Sequence, residues 1–597
     1  MNEELKRIPE RHEVAPVDTW DLPGDDAWHD AFGEYEKATE MVPSYKGTLA
    51  RSAEGLADWM DFSRDLDVLG ERLGTYAYAR QSEDERCDRI DGQIYEMALA
   101  KKQAASAWEN PEILAIPEAD IGRFLEHPRL DEYRVYIRRA LRLRPHTLSE
   151  EGERIVALHR ENAEVLSKVY STLIEDMDVD LGSIDTPDGQ IELKKDAKWG
   201  KLYESPDREI RRKVHEKSSA HWESIKATMA SLLSGCIKRN VIDARVRGYP
   251  SARAATLFQD NIGEEVYDNL IAVVNENMGA LHRYYGVRKR TLGLSELRTY
   301  DMYMPLSRTV KRKTTWNEAA CLLADAVKPM GDEYVSTLRS GLLGRWADRY
   351  MNLGKNTCPC CIGGYVGDPY LSMTYEGDSL TDLLCLAHES GHSMHVWHGA
   401  RANPFRHYRE SIFEAETASA FHEELLFRHL LKTVGDDKEM RLYLVNGRIN
   451  DFANMLYRHT MFAEFDHAVH RFEEGGTPLT LDVLSGEYRG LLAKYRGPEY
   501  VMDESSGLGD LSYFFTCLPF HMYVYATGVC AAIALADRVL GGGESEREDY
   551  IAFLKSGGSR FPMDSLKLAG VDMSRPEPVQ AACRVFAGLV DELERLL

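Results

Sequence analysis

Apolar residues recur at helical spacing along most of the 597-residue chain, and this pattern constrains the fold more than any other feature. Leu66, Leu69, Leu73 and Tyr76, for example, fall on one face of a helix between charged residues. Such a stripe is typical of an amphipathic helix packed on a core. The same spacing runs through residues 46–110 and recurs in 147–178 and 205–246. The sequence therefore predicts a mostly α-helical protein.

The composition supports a large folded body with an acidic surface. Hydrophobic residues make up 44% of the chain, which is enough for a sizeable core and excludes an intrinsically disordered protein. The chain has 73 Lys and Arg against 97 Asp and Glu, which gives a formal net charge of −24. Because a phosphate-binding surface needs a basic face, we expect no nucleic-acid partner.

Two segments bear on location. Residues 1–16 are charged throughout and lack the apolar run of a signal peptide. Residues 511–536 contain no Asp, Glu, Lys or Arg and are long enough to cross a membrane. Pro519, His521 and Gly528 within them favour a helix buried on all sides of a large protein instead. With ten cysteines and no export signal, the sequence predicts a protein of the reducing cytoplasm with no membrane partner.

Two short strand signals interrupt the helical pattern. Pro187, Asp188 and Gly189 separate Ile184 from Ile191, which is typical of a β-hairpin. We place this hairpin near the junction of two regions, and a second strand at the residues that follow a glycine-rich turn. The predicted ranges are 1–195 for an N-terminal helical region, 196–597 for a catalytic region, and 370–375 for the second strand.

The motif His388-Glu389-Ser390-Gly391-His392 carries the clearest chemical signal. It lies on a predicted helix over residues 380–397, where His388 and His392 are only about 40° apart around the axis. Two imidazoles on one face can bind one tetrahedral metal ion, and Glu389 points further round, toward a reacting water. Zinc suits this arrangement because it acidifies water and polarises a carbonyl, while Glu389 acts as the general base. Gly391 lets another backbone pack close to this helix.

A catalytic zinc site needs a third protein ligand. The next helical segment offers five carboxylates, at Glu410, Glu414, Glu416, Glu423 and Glu424. We assign Glu416, because Ala415, Ala418 and Ala420 surround it with the small side chains that close helix packing requires. The other four are predicted to lie mostly on the helix surface, although Glu423 shares a face with Glu416.

These motifs resemble oligoendopeptidase F, of the thimet oligopeptidase-like family of zinc metallopeptidases. HESGHSMH at residues 388–395 and AETAS at 415–419 match its HELGHSMH-type and AEVAS-type helices. Residues 45–59, 144–153 and 553–579 are also similar to family segments, so that the resemblance covers almost the whole chain. It implies one zinc ion held by His388, His392 and Glu416, with Glu389 as the general base.

The resemblance also implies a fold and a substrate class. The family fold is a two-lobed helical ellipsoid with a deep channel, a zincin-type active-site helix and a small β-sheet. A narrow channel would restrict substrates to short peptides. The predicted strand at 370–375, including Tyr375, would pair with the peptide backbone by edge-strand addition.

One segment departs from the family pattern. Before a YATG sequence the family usually reads HFYxxFYVYQYATG, and its histidine and tyrosines are thought to donate hydrogen bonds to the tetrahedral intermediate. Here the segment reads FTCLPFHMYVYATG, with Phe515 and Cys517 in place of a histidine and a tyrosine, and His521 in place of another tyrosine. Losing one such donor typically costs about 100- to 1000-fold in turnover. We predict catalytic roles for Tyr523 and Tyr525 and a substrate-binding role for His521.

Two further features resemble metal sites. Cys358-Pro359-Cys360-Cys361 has no second cysteine cluster to complete a zinc site, so we expect a cysteine-rich turn. His395 lies seven residues after His388, on a neighbouring helix face. A packing role suits it better than a role as a third histidine ligand.

The leading hypothesis is a zinc endopeptidase acting on short oligopeptides. A zinc carboxypeptidase with the same motif is the alternative within the enzyme class. Phe515 and Cys517 motivate a third hypothesis, a zinc-bearing peptide-binding protein with little catalysis. The intact Glu389 favours an enzyme, because a binding protein does not need a general base.

Overall fold

A computed structural model describes most of the chain. The described residues are 24–84, 90–149, 202–306 and 313–597, the last range without 353, 504–505, 508 and 513–518. Between residues 150 and 201, it describes 151–153, 155–156, 165–166, 169–170, 173, 181–187 and 189–193.

Helices dominate the described residues, as predicted. In chain order they are α1 (Asp25–Met41), α2 (Ala53–Glu83), α3 (Ile90–Ala105), α4 (Glu109–Ala115), α5 (Glu118–Phe124), α6 (Arg134–Arg142), α7 (Arg208–Val246), α8 (Ala252–Gln259), α9 (Glu264–Glu276), α10 (Met278–Thr291), α11 (Trp316–Ala326), α12 (Asp332–Leu343), α13 (Leu380–Ala402), α14 (Ile412–Thr433), α15 (Lys438–Phe452), α16 (His459–Glu474), α17 (Leu481–Arg496), α18 (Tyr523–Gly541), α19 (Glu544–Ser556), α20 (Pro562–Leu568) and α21 (Glu577–Leu596). A π-helical turn at Ala453–Arg458 joins α15 to α16.

The strands are short. They are β1 (Ser183–Thr186), β2 (Gly189–Glu192), β3 (Ala347–Asp348), β4 (Cys360–Ile362) and β5 (Tyr370–Ser372). β1 and β2 form the predicted antiparallel hairpin, with Ile184 opposite Ile191. The prediction of a mostly helical protein with little sheet is therefore confirmed.

The chain divides into two compact units that are each discontinuous in sequence. Unit 1 comprises Met1–Thr147, Lys311–Thr433 and Ala531–Asp572, and unit 2 comprises Leu148–Val310, Val434–Cys530 and Met573–Leu597. Neither unit coincides with the linear regions 1–195 and 196–597. That boundary stays a prediction about sequence regions.

The core of unit 1 forms where α1 packs on α2. Trp28, Trp59 and Leu73 are completely buried there, and the indole N–H of Trp28 donates to the Leu73 carbonyl oxygen at 3.0 Å. Ile362 of β4 and Tyr370 of β5 belong to the same apolar cluster. The small sheet is therefore anchored in this core.

The sheet of unit 1 corrects one prediction. The strand order is β3-β5-β4, with β3 parallel and β4 antiparallel to β5. The strand predicted at 370–375 is thus the central strand over Tyr370–Ser372, and both of its edges are occupied. It cannot receive a peptide there, because its backbone groups already pair with β3 and β4. The edge strands of this sheet are β3 and β4.

Unit 2 is organised around the long helix α7. The Asp207 side chain caps this helix by accepting a hydrogen bond from the Glu209 N–H at 2.8 Å. Arg208 and Arg211 in its first turn both form ion pairs with the fully buried Asp301, at 2.8 and 2.9 Å. Two guanidinium groups thus compensate one buried carboxylate, which fixes the start of α7 to the segment that follows α10.

Residues 523–536 of the charge-free stretch form most of α18, which continues through Asp537 and Arg538. Its composition and its 19 residues would suit a membrane span, but 67% of its most apolar window is buried inside the protein. A helical stretch without charged residues, such as 523–536, is expected where its faces contact protein. The predicted buried helix therefore agrees with the structure.

Candidate active site

Helix α13 carries the HESGH motif. It begins after Ser379, whose Oγ accepts a hydrogen bond from the Asp382 N–H at 3.2 Å. This cap satisfies one of the free N–H groups of the first turn. The helix runs to Ala402, five residues beyond the predicted end, and places His388 and His392 one turn apart.

Gly391 brings the second ligand helix to α13. A Cβ atom at this position would lie 2.4 Å from the Ala418 carbonyl oxygen and 2.5 Å from the Ser419 Cα, both on α14. No side chain fits between backbones that approach so closely. The expected close packing at Gly391 is confirmed, and it is what brings Glu416 to the two histidines.

His388, His392 and Glu416 converge in unit 1. The Nε2 atoms of the two histidines are 3.2 Å apart, and His388 Nε2 lies 3.6 Å from Glu416 Oε2. All three ligand atoms lie within 4.8 Å of one another. Zinc with bonds of about 2.0–2.1 Å in tetrahedral geometry holds its ligand atoms about 3.3 Å apart. The residues present therefore fit a zinc ion.

Glu423 is the functional side chain that sequence reasoning missed. Its Oε1 lies 2.6 Å from His388 Nδ1, on the side of the imidazole ring away from the metal cluster. A carboxylate in this place holds the proton on Nδ1 and leaves the Nε2 lone pair for a metal. The spacing of seven residues from Glu416 was the available signal, because it puts both carboxylates on the same helix face.

The prediction of surface positions for the other acidic residues of α14 is wrong. Glu414, Glu423 and Glu424 are 1%, 6% and 2% exposed. Glu424 forms an ion pair with Arg428 at 2.7 Å, and Glu414 accepts hydrogen bonds from the backbone and side chain of Ser411. Helix α14 is buried on nearly all faces, so helical periodicity alone could not distinguish its core positions.

Glu389 lies beside the cluster in a dry environment. Its side chain is nearly buried, and its carboxylate accepts a hydrogen bond from the backbone N–H of Cys361 on β4. Burial, together with the nearby carboxylates of Glu416 and Glu423, raises the pKa of Glu389 to about 7, although the His388 charge opposes this. A carboxylate with such a pKa can both take and return a proton near neutral pH.

The two histidines are electrostatically different. Burial lowers the pKa of His388, but the hydrogen bond and charge of Glu423 outweigh burial and raise it to about 10 in the metal-free protein. Burial and the His388 charge hold the pKa of His392 well below its usual value. Metal binding at His388 would therefore require the loss of a proton, whereas the imidazole of His392 is already neutral.

The two other potential metal sites do not form. Among the described residues, Cys358, Cys360 and Cys361 belong to no cluster with metal-ligand geometry. Burial, and next the Glu389 charge, raise the pKa of Cys360 to about 11, so this thiol stays protonated. His395 is fully buried with its ring 5.2 Å from that of Phe553, which gives it the expected packing role.

The remaining predicted side chains lie in unit 2, except Tyr375. His521 and Tyr525 are neighbours, with ring centroids 5.4 Å apart, and the His459 ring lies 4.9 Å from that of Tyr525. Tyr523 instead is buried against Tyr267, at 5.0 Å between ring centroids. Burial lowers the pKa of His521 and lowers that of His459 to about 4, so both imidazoles are neutral at pH 7. Phe515 and Cys517 lie outside the described residues.

Tyr375 has a structural environment in unit 1. Its side chain is 3% exposed, its hydroxyl donates to the Thr314 carbonyl oxygen at 2.9 Å, and its ring packs edge-on against Trp316. Its backbone N–H donates to the Arg349 carbonyl oxygen at 2.9 Å. These contacts occupy the hydroxyl and the backbone N–H of Tyr375, so that a substrate-binding role for this residue stays a prediction.

A helical fold with a His-Glu cluster on two packed helices is typical of metallopeptidases, and comparison with protein families identifies which one. Residues 201–585 match the model of peptidase family M3, and residues 112–178 match that of oligopeptidase F. The chain therefore belongs to peptidase family M3. The resemblance inferred from the sequence motifs is confirmed.

Individual relatives match along almost the whole chain. Oligopeptidase PepF of Bacillus subtilis is 38% identical over 616 aligned residues, which cover 100% of this chain and 90% of the relative. A solved structure from Chlamydophila abortus has a TM-score of 0.86 at 31% identity, covering 98% of this chain and 99% of that one. Oligoendopeptidase-F from Enterococcus faecium has a TM-score of 0.76 at 30% identity, covering 96% and 99%.

Proposed function

We propose that the protein is a zinc-dependent endopeptidase that hydrolyses internal bonds of short oligopeptides. The observation that carries this proposal is the convergence of His388, His392 and Glu416, with Glu389 beside them. Membership of peptidase family M3 supports peptide hydrolysis. The names of the relatives, oligopeptidase and oligoendopeptidase, support short substrates and internal cleavage.

The proposed metal ligands are Nε2 of His388, Nε2 of His392 and a carboxylate oxygen of Glu416. Zinc, when bound, supplies a Lewis acid that polarises the scissile carbonyl and acidifies water. Glu423 orients the His388 ring through the hydrogen bond to Nδ1. Gly391 keeps the two ligand helices at the distance that the three ligands require.

Glu389 is the proposed general base. Its carboxylate takes a proton from the attacking water as the carbon–oxygen bond forms. It then returns the proton to the leaving amine nitrogen as the peptide bond breaks. The hydrogen bond from the Cys361 N–H holds the carboxylate in place between these two transfers.

β4 is the proposed docking edge for the peptide backbone. It is the outer strand of the sheet on this side, and its residue Cys361 already contacts Glu389. A peptide added to this edge would be bound through its main chain, which requires no particular side-chain sequence. This role replaces the one predicted for residues 370–375.

Metal content and turnover of three variants test the proposal. Glu389→Gln should reduce hydrolysis of a mixed short-peptide pool by about 100- to 10,000-fold while one zinc remains bound. His388→Ala and Glu416→Gln should lose zinc as well as activity. Metal analysis by mass spectrometry, beside product identification, separates the two kinds of defect.

Glu333→Gln provides the matched control, because Glu333 is an exposed carboxylate on α12 of the same unit. Full zinc and full activity in Glu416→Gln would exclude Glu416 as a ligand. Cleavage confined to the last residue, and abolished by C-terminal amidation, would instead identify a carboxypeptidase. Zinc binding without turnover would favour the peptide-binding alternative.

The proposed setting is the cytoplasm, with short peptides as partners and without nucleic acid or membrane. Fractionation of cells that express the tagged full chain tests this location. Recovery in the membrane fraction after a salt wash would contradict it.

A further inference from the structure

Unit 2 contains a cavity of about 860 Å³. This volume falls within the range of about 300–1000 Å³ that is usual for ligand pockets. α7, α10, α17 and the π-helical turn Ala453–Arg458 contribute to its wall. Aromatic side chains dominate the lining: Tyr203, Trp222, Tyr284, Tyr285, Tyr303, Tyr457, Tyr495 and Tyr500.

The π-helical turn is the irregular part of this wall. Ala453, Asn454, Tyr457 and Arg458 all line the cavity from this one turn. A π-helical turn gives up regular helical hydrogen bonding, and such turns are frequent at functional sites because they redirect side chains. Here the turn places four of its six residues on one wall of the cavity.

The fixed charges of the cavity are unequal. Arg458 forms an ion pair with Asp510 at 2.7 Å, and the Tyr488 hydroxyl donates to the other oxygen of that carboxylate, also at 2.7 Å. These two charges therefore cancel. The remaining lining carboxylate, Glu204, is exposed, so that water screens its charge.

Arg496 supplies a positive charge that contacts no carboxylate of the described residues. Its Nη1 donates to the Tyr285 hydroxyl at 2.8 Å, and its guanidinium carbon lies 5.4 and 5.8 Å from the ring centroids of Tyr285 and Tyr500. Within the described chain it forms no ion pair with a carboxylate. Burial lowers the pKa of this guanidinium, but the phenol groups of Tyr285, Tyr500 and Tyr303, and then the Asp510 carboxylate, outweigh burial, so the group stays charged.

We propose that this cavity binds the C-terminal carboxylate of a short peptide, with Arg496 as its recognition cation. A guanidinium presents parallel N–H donors that match a carboxylate. One unpaired positive charge suits a ligand group of one negative charge better than a doubly charged phosphate. The tyrosine rings, with Leu281 and Met461, provide apolar faces for the last side chains of the peptide.

This inference rests on the proposed function, because that function makes peptides the ligand class. The experiment uses the full chain carrying Glu389→Gln, so that bound peptide is not consumed. Calorimetry compares one pentapeptide ending in phenylalanine as the free acid with the same peptide amidated at its C-terminus. We expect the acid to bind about 10- to 100-fold more tightly, as hydrogen bonds to a charged group allow.

Adding Arg496→Gln should bring the affinity for the acid down to that for the amide. Arg290→Gln is the matched control, since Arg290 lies on α10 of the same unit, is exposed and pairs with Glu594. It should leave the preference for the acid unchanged. Equal affinities for acid and amide in the chain that carries Glu389→Gln alone would overturn the proposal. So would an unchanged preference for the acid after Arg496→Gln is added.

A second variant of Arg496 and a third peptide test the guanidinium group and the chain terminus separately. If Arg496→Gln does not fold, Arg496→Lys retains the charge without the fork and should give an intermediate preference. If Arg496→Lys keeps the full preference for the free acid over the amide, recognition by the guanidinium group is excluded. An amidated peptide ending in glutamate that binds as tightly as the free acid would exclude recognition of the chain terminus.

Turnover separates this inference from the proposed function. Binding is measured in the chain that carries Glu389→Gln and cleavage in the chain with Glu389 intact, so that each of the two results can fail alone. Internal cleavage of both peptides, with equal binding affinities for acid and amide in the Glu389→Gln chain, would refute the carboxylate site and keep the endopeptidase. An acid preference that depends on Arg496, in a protein that cleaves neither peptide, would support the carboxylate site and refute the proposed endopeptidase.

Discussion

The metal cluster of unit 1 and the tyrosine-lined cavity of unit 2 are assembled in different ways. The cluster takes its side chains from two consecutive helices, α13 and α14, held together at Gly391. The cavity takes its side chains from positions scattered between Tyr203 and Asp510. A site of the first kind can be read from local spacing, whereas one of the second kind exists only after the tertiary fold has formed.

The two regions also select opposite charges. Glu389, Glu416 and Glu423 concentrate negative charge around two imidazoles in a nearly dry environment. The cavity instead presents Arg496 among phenol groups. In surroundings of low dielectric, each arrangement is stabilised by a ligand of the opposite sign. The first suits a metal cation and the second suits a carboxylate.

Among the changes that compare the two units further, the largest expected effect concerns a hydroxyl of unit 2. Tyr525→Phe should lower kcat by about 100- to 1000-fold with little change in KM, if this hydroxyl stabilises the charged intermediate. Tyr523→Phe is the matched comparison, because its ring is buried against Tyr267, and we expect a smaller loss. Steady-state kinetics on one fluorogenic peptide measures both. Equal losses, or a larger loss at Tyr523, would contradict the assignment.

The next effect concerns the support of a metal ligand in unit 1. Glu423→Gln should weaken zinc binding by about 10- to 100-fold, because the imidazole of His388 loses its carboxylate partner. Competition with a chelator measures the affinity. Glu424→Gln is the control, since that buried carboxylate pairs with Arg428 and should change thermal stability rather than zinc affinity. Unchanged zinc affinity in Glu423→Gln would contradict the orienting role.

The contrast between the two regions explains what the sequence could predict. Helical periodicity was sufficient for the fold class and for placing His388 and His392 one turn apart. The small residues around Glu416 indicated close helix packing, which Gly391 provides. The role of Glu423 was missed although its spacing from Glu416 was visible, because a shared helix face does not show whether a carboxylate is buried or solvated.

The prediction that the strand at 370–375 offers a free edge was wrong because strand order depends on long-range pairing. The strand at Tyr370–Ser372 was found from composition, but its central place depends on partners 10 and 24 residues earlier, Cys361 and Ala347 against Leu371. The order of strands in a sheet is not encoded in the pattern of a single strand. For the same reason, no local motif indicated that Arg496 would lie among the tyrosines of unit 2.

Gly391→Ala tests how tightly the cluster depends on helix packing. The added methyl group would meet backbone atoms of α14, and overpacking of this kind costs about 1–3 kcal/mol of unfolding free energy. Urea denaturation measures the loss, and zinc content measures the displacement of Glu416. Gly588→Ala is the control, because that helical glycine has open space around its Cβ position. Unchanged stability in Gly391→Ala would contradict the close approach of the two helices.

The smallest expected effect is the acidic limb of the pH profile, which tests the charge environment of Glu389. The base must be ionised to accept a proton, so kcat/KM should fall as the pH drops through its pKa, by about tenfold per pH unit. Burial and the neighbouring carboxylates raise this pKa to about 7 in the metal-free protein. The positive charge of a bound metal lowers the pKa of a nearby acid. We therefore expect the limb in the loaded enzyme to lie below pH 7, with a plateau above it.

Loss of metal at low pH could imitate this limb, because a proton competes for His388. Zinc content measured at each pH separates the two processes, since titration of Glu389 leaves the metal bound. Glu423→Gln sharpens the test: removing one nearby negative charge should lower the pKa of Glu389 and move the limb to lower pH. A limb above pH 7 at full zinc occupancy, or the same limb in the residual activity of Glu389→Gln, would exclude Glu389 as the titrating base.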